Sequence, residues 1–121
     1  MDFSIPQKGN TRFMYVLPFS ETEGLVEYTL FSADTLAEQE YENAIKKYIE
    51  ETLRCTEYEI VEKEKGNIPM SCYDFSAKNG NSLLHIGIAG GWAKASTGYT
   101  FMSTYRKTKE LVAFLKKNKP L

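Results

Sequence analysis

The stretch Arg12-Phe13-Met14-Tyr15-Val16-Leu17-Pro18 decides the fold of this chain, together with the run that follows it, Leu25-Val26-Glu27-Tyr28-Thr29-Leu30-Phe31. In the first run both alternating sets of positions are apolar, which is typical of a strand buried on both faces or nearly so. The second run is rich in residues that favour strands. Residues 19–24 have the length of a hairpin loop and end in glycine. The sequence therefore predicts an antiparallel hairpin.

A first helix is predicted over Leu36–Arg54. Thr35 and Glu38 have the spacing of a capping box at its start. The residues that keep helical spacing and would form its buried face are Tyr41, Ile45, Tyr48, Ile49, Thr52 and Leu53.

Two further strands and a second helix are predicted after it. Tyr58–Lys63 alternates like a strand, and Leu83–Ile88 is a short and strongly apolar one. The last helix would run over Tyr99–Lys117. Its buried stripe would be Phe101, Tyr105, Val112 and Leu115. We therefore expect an α+β fold, with an antiparallel hairpin, a mixed sheet and two main helices.

Composition narrows the class of protein. The chain has 121 residues, which is enough for at most one domain, and its net charge of −1 argues against a nucleic-acid partner. No apolar run reaches the roughly 18 residues that a membrane span needs. Met1–Ser4 does not resemble a signal peptide. Cys55 and Cys72 lack metal-site spacing. We expect a cytoplasmic protein with reduced thiols and no bound metal, in peripheral contact with a membrane at most.

Basic residues gather near the end of the chain, and two interpretations of them stay open. They could form a solvated helix face with cations at its C-terminus, or a surface that contacts anionic lipid. These residues are Lys107, Lys109, Lys116, Lys117 and Lys119.

The segment after the last strand contains Gly90 and Gly91, which would let a ligand approach the backbone closely. Ser96 or Thr97 could cap the following helix, whose N-terminus would offer free N–H groups. Such a cradle suits the pyrophosphate or the ring carbonyl of a flavin. The alternative is a tight turn between a strand and a helix.

Two ionisable residues are further candidates. Glu27 shares a strand face with Leu25, Thr29 and Phe31, where desolvation would favour a general acid; the alternative is a strand-edge glutamate that faces water. His85, the only histidine, is predicted in the core of a buried strand rather than as a catalytic base.

Three segments together resemble the lycopene cyclases, a family of flavin-dependent carotenoid cyclases. Phe13–Ser20 followed by Leu25–Thr29 resembles the family's Pro-containing strand and acidic motif. Glu64–Met70 resembles its Gly-x-Ile-Pro-Met stretch, and Gly87–Phe101 resembles its Gly-Gly…Pro-Ser-Thr-Gly-Tyr segment. The order and approximate spacing of the three agree across most of the chain.

The resemblance implies part of a two-domain, FAD-binding flavoprotein of the Rossmann type. Residues 1–82 would belong to the substrate-binding domain, and residues 83–121 would form the C-terminal strand, loop and helix of the FAD-binding domain. The N-terminal dinucleotide-binding part would lie outside this chain, which we expect to be a fragment. Glu27 falls on the first glutamate of the acidic motif and would be catalytic. The cofactor-binding residues would be Gly90, Gly91, Ser96, Thr97 and Gly98.

The implied function is that of a lycopene β-cyclase, which closes rings at the acyclic ends of lycopene by redox-neutral, acid-initiated chemistry. Reduced FAD would be the cofactor, with NAD(P)H as reductant, and the isolated chain would be inactive. Tyr28 stands where the plant motif has a second acidic residue, and Ala95 stands at the usual proline. The alternatives are a related FAD-dependent prenyl reductase or monooxygenase, and a non-catalytic α+β binding module.

Overall fold

The computed structural model describes residues 1–117, which divide into two compact units, Met1–Glu62 and the part that begins at Lys63. The first unit holds the hairpin and one helix, and the second holds two short 3₁₀ turns and the last helix. This arrangement confirms an α+β fold with an antiparallel hairpin and two helices. Lys119 lies outside the described residues.

The predicted hairpin is confirmed. Strand β1 is Arg12–Pro18, strand β2 is Gly24–Leu30, and the two pair antiparallel with Met14 opposite Tyr28. The N–H groups of Phe19 and Ser20 both donate to the Glu23 carbonyl, at 2.8 and 3.0 Å, and so close the loop.

The first helix, α1, is Glu38–Lys47, and it continues as a π-helical turn over Tyr48–Thr52. The predicted capping box is wrong: Ala37 is the N-cap, and no side chain caps the helix. Glu38 is already the first helical residue rather than the third. It therefore acts, with Glu40, as a favourable negative charge at the positive end of the helix.

One cluster of buried side chains joins the hairpin to this helix. Met14 and Tyr28 from the strands pack with Tyr48, and Tyr41 and Ile45 lie against them. The helix face was predicted correctly as far as Tyr48. Thr52 and Leu53 are exposed instead, because the π turn inserts an extra residue and rotates the following positions off the face.

The N-terminal segment is fixed to both elements of this unit. Asp2 forms a bridge to Met14, with N···O distances of 2.8 and 3.0 Å, and the Tyr48 hydroxyl donates to the Asp2 carboxylate at 2.9 Å. Hydrogen bonds from Ser4, and then from Tyr48, lower the pKa of Asp2. Burial, and then the bond to Asp2, raises the pKa of Tyr48.

The predicted strands Tyr58–Lys63 and Leu83–Ile88 are not formed, so the expectation of a mixed sheet is wrong. Within residues 1–117 the only sheet is the two-stranded hairpin. Residues 58–63 are exposed and belong to no β-ladder, and Leu83 makes a single bridge to Gly80 before a 3₁₀ turn over Gly87–Gly90. An alternating or apolar run becomes a strand only where a second strand accepts its hydrogen bonds.

The last helix, α2, is Phe101–Leu115, but its predicted buried stripe is wrong. The partly buried residues of the helix are Ser103, Thr104, Leu111 and Phe114, none of which belongs to the predicted stripe. The Ser103 hydroxyl donates to the backbone carbonyl of Trp92, which is itself buried. Helical spacing predicts an apolar stripe, but the helix contacts its own unit through other residues.

Across residues 1–117, no helix has both the length and the apolar character that crossing a bilayer requires.

We expect Met14→Ala to lower the free energy of unfolding by about 2–4 kcal/mol, because Met14 is only 2% exposed and its truncation leaves a cavity in the core. Chemical denaturation monitored by circular dichroism measures this change. Val61→Ala is the control, because Val61 is 80% exposed and its truncation should change stability little. Equal effects of the two substitutions would contradict the assigned core.

Asp2 should make the first unit sensitive to acid. Its pKa is lower in the folded chain than in the unfolded chain, so it stabilises the fold above the unfolded pKa, and this contribution is lost as the pH falls through the folded pKa. Asp2→Asn should therefore flatten the loss of stability below about pH 5, whereas Asp34→Asn, at an exposed position, should not. Denaturation midpoints measured across this range test the difference, and parallel curves for Asp2→Asn and the unmodified chain would refute it.

Candidate functional site

Glu27 lies in the middle of β2, directly opposite Tyr15 of β1. Its side chain is exposed, and the Thr29 hydroxyl, two residues along the same face, donates to its carboxylate. The hydrogen bond fixes the carboxylate over the strand. Of the two interpretations drawn from the sequence, a glutamate open to solvent is the one found in this unit.

The surroundings of Glu27 are apolar and aromatic. Helix α1 packs on the opposite face of the hairpin, against Met14 and Tyr28, so within the first unit this helix does not cover the Glu27 face. Phe13 lies at the centre of a ring cluster on the Glu27 face, with centroids 5.0 Å from Phe3, 6.5 Å from Tyr15 and 6.3 Å from Phe31.

Glu27 is the only charged side chain that the two strands place on this face. Strand alternation and the observed register give the six members of the face as Phe13, Tyr15, Leu17, Leu25, Glu27 and Thr29. An apolar ligand lying across them would exclude water from the carboxylate, which would then be the one full charge beside the ligand. This arrangement suits a carboxyl that donates a proton or stabilises a cation.

Gly90 and Gly91 occupy a crowded turn rather than an open cradle. A Cβ on Gly90 would lie 2.3 Å from the His85 carbonyl oxygen, and one on Gly91 would lie 2.9 Å from the Phe75 ring. Gly91 also has a φ of +69°, which a residue with a side chain adopts only with strain. Both positions therefore require glycine, because the protein's own atoms lie too close to leave room for a side chain.

Ser96, Thr97 and Gly98 lie in the turn that leads into α2. The N–H groups of Thr97 and Gly98 donate to the Lys94 carbonyl at 3.1 and 2.8 Å, and the Thr97 hydroxyl accepts from the Tyr99 N–H at 3.3 Å. The prediction that Ser96 or Thr97 caps the helix is wrong. The N-cap is Thr100, and its side chain makes no capping hydrogen bond.

These bonds decide which groups could hold an electron-rich ligand such as a flavin. The N–H groups of Gly90 and Gly91 donate to the carbonyls of Ile86 and Ile88, and that of Gly98 to Lys94, so none of the three is available. The start of α2 differs, since the N–H groups of Phe101–Ser103 come before the first intrahelical bond, from Thr104 to the Thr100 carbonyl, and no side chain caps them. In this segment the donors that an electron-rich ligand could use are therefore those at the start of α2, and not the glycine N–H groups.

His85 is not the core histidine that its apolar neighbours predict. It is partly exposed, outside any strand, and has a partner in Asn79. The Asn79 side-chain oxygen accepts from the His85 backbone N–H at 2.9 Å and lies 3.3 Å from the ring Nδ1. The histidine therefore helps to close the loop that the single bridge between Gly80 and Leu83 also forms.

The structure adds residues to the Glu27 site that sequence reasoning missed. The contact between the Phe3 and Phe13 rings was not predicted. It depends on the bridge between Asp2 and Met14, and no sequence pattern indicates such an isolated bridge. The pairing of Tyr15 with Glu27 could have been found, since a hairpin loop of known length fixes the register.

Comparison with known proteins gives one match. The family described as "Lycopene cyclase protein" matches residues 1–120. None of the curated proteins compared with the chain matches it, and none of the solved structures does. Because the match covers almost all of the sequence and includes the hairpin, the Ile68-Pro69-Met70 stretch and the Gly90-Gly91 segment, the chain belongs to the lycopene cyclase family.

Proposed function

We propose that this chain is part of a lycopene β-cyclase, in which Glu27 drives ring closure at the acyclic ends of lycopene. Membership of the family supports carotenoid cyclisation at the level of the family. The observation that carries the finer proposal is the position of Glu27, a lone carboxylate on an apolar and aromatic strand face. A hydrocarbon polyene offers no polar group to bind, so such a face matches its chemistry.

The proposed reaction leaves the elemental composition of the substrate unchanged. A proton adds to the terminal double bond of the acyclic end group, and the neighbouring alkene attacks the cation to form the ring. Loss of a different proton then gives the β-ionone ring. Glu27 would act as the acid, or as the negative charge that stabilises the cation. Protonation and deprotonation balance, so there is no net change in oxidation state.

The aromatic side chains beside Glu27 have a second use in this scheme. A carbocation is attracted to the electron-rich faces of aromatic rings, much as an ammonium group is. Tyr15 lies opposite Glu27, and the Phe13 ring centre is 6.5 Å from that of Tyr15 and 6.3 Å from that of Phe31. They would stabilise positive charge as it moves from the protonated end of the polyene into the forming ring.

Reduced FAD is the proposed cofactor, with NAD(P)H as its reductant, and the family resemblance supports this choice. In this chain the first turn of α2 and the Ser96 hydroxyl would contact it, while Gly90, Gly91 and Gly98 would shape the turn. When bound, the reduced flavin would stabilise the cation or supply the proton. We propose that residues 1–82 serve the substrate-binding domain and residues 83–121 the FAD-binding domain.

Replacing Glu27 by glutamine in the intact cyclase should lower turnover of lycopene by about a hundredfold or more, because the amide keeps the shape but cannot donate the proton. Flavin content should not change. Glu23→Gln, at an exposed position in the hairpin loop, is the matched control and should retain activity. Product analysis by chromatography and mass spectrometry gives the rates, and near-normal turnover by Glu27→Gln would exclude the assignment.

The same product analysis separates cyclisation from the chemistry of related flavoproteins. A cyclase product has the mass of lycopene, whereas a reductase adds hydrogen and a monooxygenase adds oxygen. A product of different mass would exclude cyclisation and indicate reduction or oxygenation instead, whatever the activity of the Glu27 variant.

Flavin titration of the 121-residue chain should show weak or no binding. The glycine N–H groups are already bonded to the chain's own carbonyls, which leaves the N-terminus of α2 as the donor in this segment to hold the cofactor. Quenching of FAD fluorescence on addition of the chain measures this, with the intact cyclase as the positive control. Tight binding of one FAD per chain would show that the turn rearranges to free those donors.

A further inference from the structure

Thr29 and Glu27 lie two positions apart on β2, so their side chains share one face of the hairpin. The Thr29 hydroxyl donates to Oε1 of the Glu27 carboxylate. Within residues 1–117 no other hydrogen bond reaches this carboxylate, and Oε2 has no partner. The two oxygens of the candidate acid therefore differ, because one is held by its own strand and the other is open.

Thr29 is well placed to fix the position of the carboxylate. A threonine side chain is branched at Cβ and has few rotamers on a strand. Its place on the strand is also fixed, because Thr29 pairs with Phe13, which is 5% exposed and packs against the rings of Phe3 and Phe31. Glu27 is exposed and has a long, flexible side chain, so without this bond its carboxylate would sample many positions.

The bond gains importance when a substrate covers the face. Water solvates the exposed carboxylate, and an apolar polyene lying across it would remove that water. The Thr29 hydroxyl would then be the donor that remains on Oε1. Tyr15 has the other hydroxyl of this face, but among the described residues no hydrogen bond joins it to Glu27. Because hydrogen bonds to a charged acceptor are the stronger ones, Thr29 stabilises Glu27 more after it has given up a proton than before.

We propose that Thr29 is a positioning residue for ring closure, whose hydroxyl holds Oε1 of Glu27 and leaves Oε2 to carry and donate the proton. This inference rests on the proposed role of Glu27 as the acid. In the transfer, the O–H bond at Oε2 breaks, and the electron pair of the terminal double bond forms the new C–H bond. The O–H electron pair stays on the carboxylate, whose negative charge the bond from Thr29 stabilises. The cyclised cation then loses a proton to water or to this carboxylate, which restores the balance.

Kinetics of the intact cyclase with lycopene, FAD and NAD(P)H test the proposal. Thr29→Val keeps the branched shape but removes the donor, so it should lower kcat by about tenfold or more while KM changes by less than about twofold. Thr29→Ser restores a donor and should keep about half of kcat or more. Thr11→Val makes the same chemical change at an exposed position just before β1 and should leave both constants unchanged.

A purely structural role for Thr29 would give the opposite order of activities. Valine forms strands more readily than serine, so thermal denaturation should rank the valine variant as the more stable, whereas kcat should rank the serine variant as the faster. If kcat instead follows stability, or if Thr29→Val turns over lycopene normally, the inference is overturned.

The double variant Glu27→Gln with Thr29→Val separates this inference from the proposed function. If Thr29 acts through Glu27, adding Thr29→Val to Glu27→Gln should lower the remaining activity by less than about twofold. A full additional loss would show that Thr29 acts independently, and would overturn the inference while leaving the role of Glu27 intact. Normal turnover by Glu27→Gln would overturn both.

Discussion

The antiparallel register that sets Met14 opposite Tyr28 is the constraint on which the first unit depends. Side chains alternate along a strand, so this register turns Met14 and Tyr28 toward α1 and leaves Glu27 and Tyr15 on the opposite face. A shift of one residue would bury the carboxylate against the helix and expose the core, at a cost of several kcal/mol. The burial of Met14 and Tyr28 that stabilises this register therefore also places Glu27, the candidate catalytic residue, on the opposite face.

Polar contacts at the start of β1 hold this register. Arg12 is buried, and its guanidinium donates to the Tyr28 hydroxyl at 2.9 Å and to the Asn10 side chain. Gln7 accepts from the Arg12 N–H and donates to its carbonyl, at 2.9 and 2.8 Å. A buried cation whose donors are satisfied costs much less than an unpaired one, and it resists sliding because each bond has a fixed direction. The bridge from Asp2 then places Phe3 on the opposite face, beside Phe13.

The sequence predicts the hairpin and α1 well because both carry their own local signals. Alternation, loop length and the helical spacing of Tyr41, Ile45 and Tyr48 are properties of adjacent residues. Leu83–Ile88 has an equally strong apolar pattern, yet it forms no strand, since a ladder needs a partner that no local signal guarantees. The same limit applies to Glu27: its face could be assigned from alternation, but whether that face is covered depends on what packs over it. The aromatic cluster with Phe3 could not be predicted from the sequence, because it depends on one isolated bridge between Asp2 and Met14.

Helix α2 shows why spacing alone cannot assign a buried side. The more apolar set is exposed and consists of Phe101, Tyr105, Val112 and Leu115, whereas the partly buried set is Ser103, Thr104, Leu111 and Phe114. The Ser103 hydroxyl accounts for this, because it donates to the Trp92 carbonyl and so satisfies an acceptor that burial would otherwise leave unpaired. Lys107, whose Nζ is 5.8 Å from the Trp92 ring centre, adds a second contact on that side. Two directional contacts thus orient the helix more strongly than the burial of its most apolar side chains, which stay exposed.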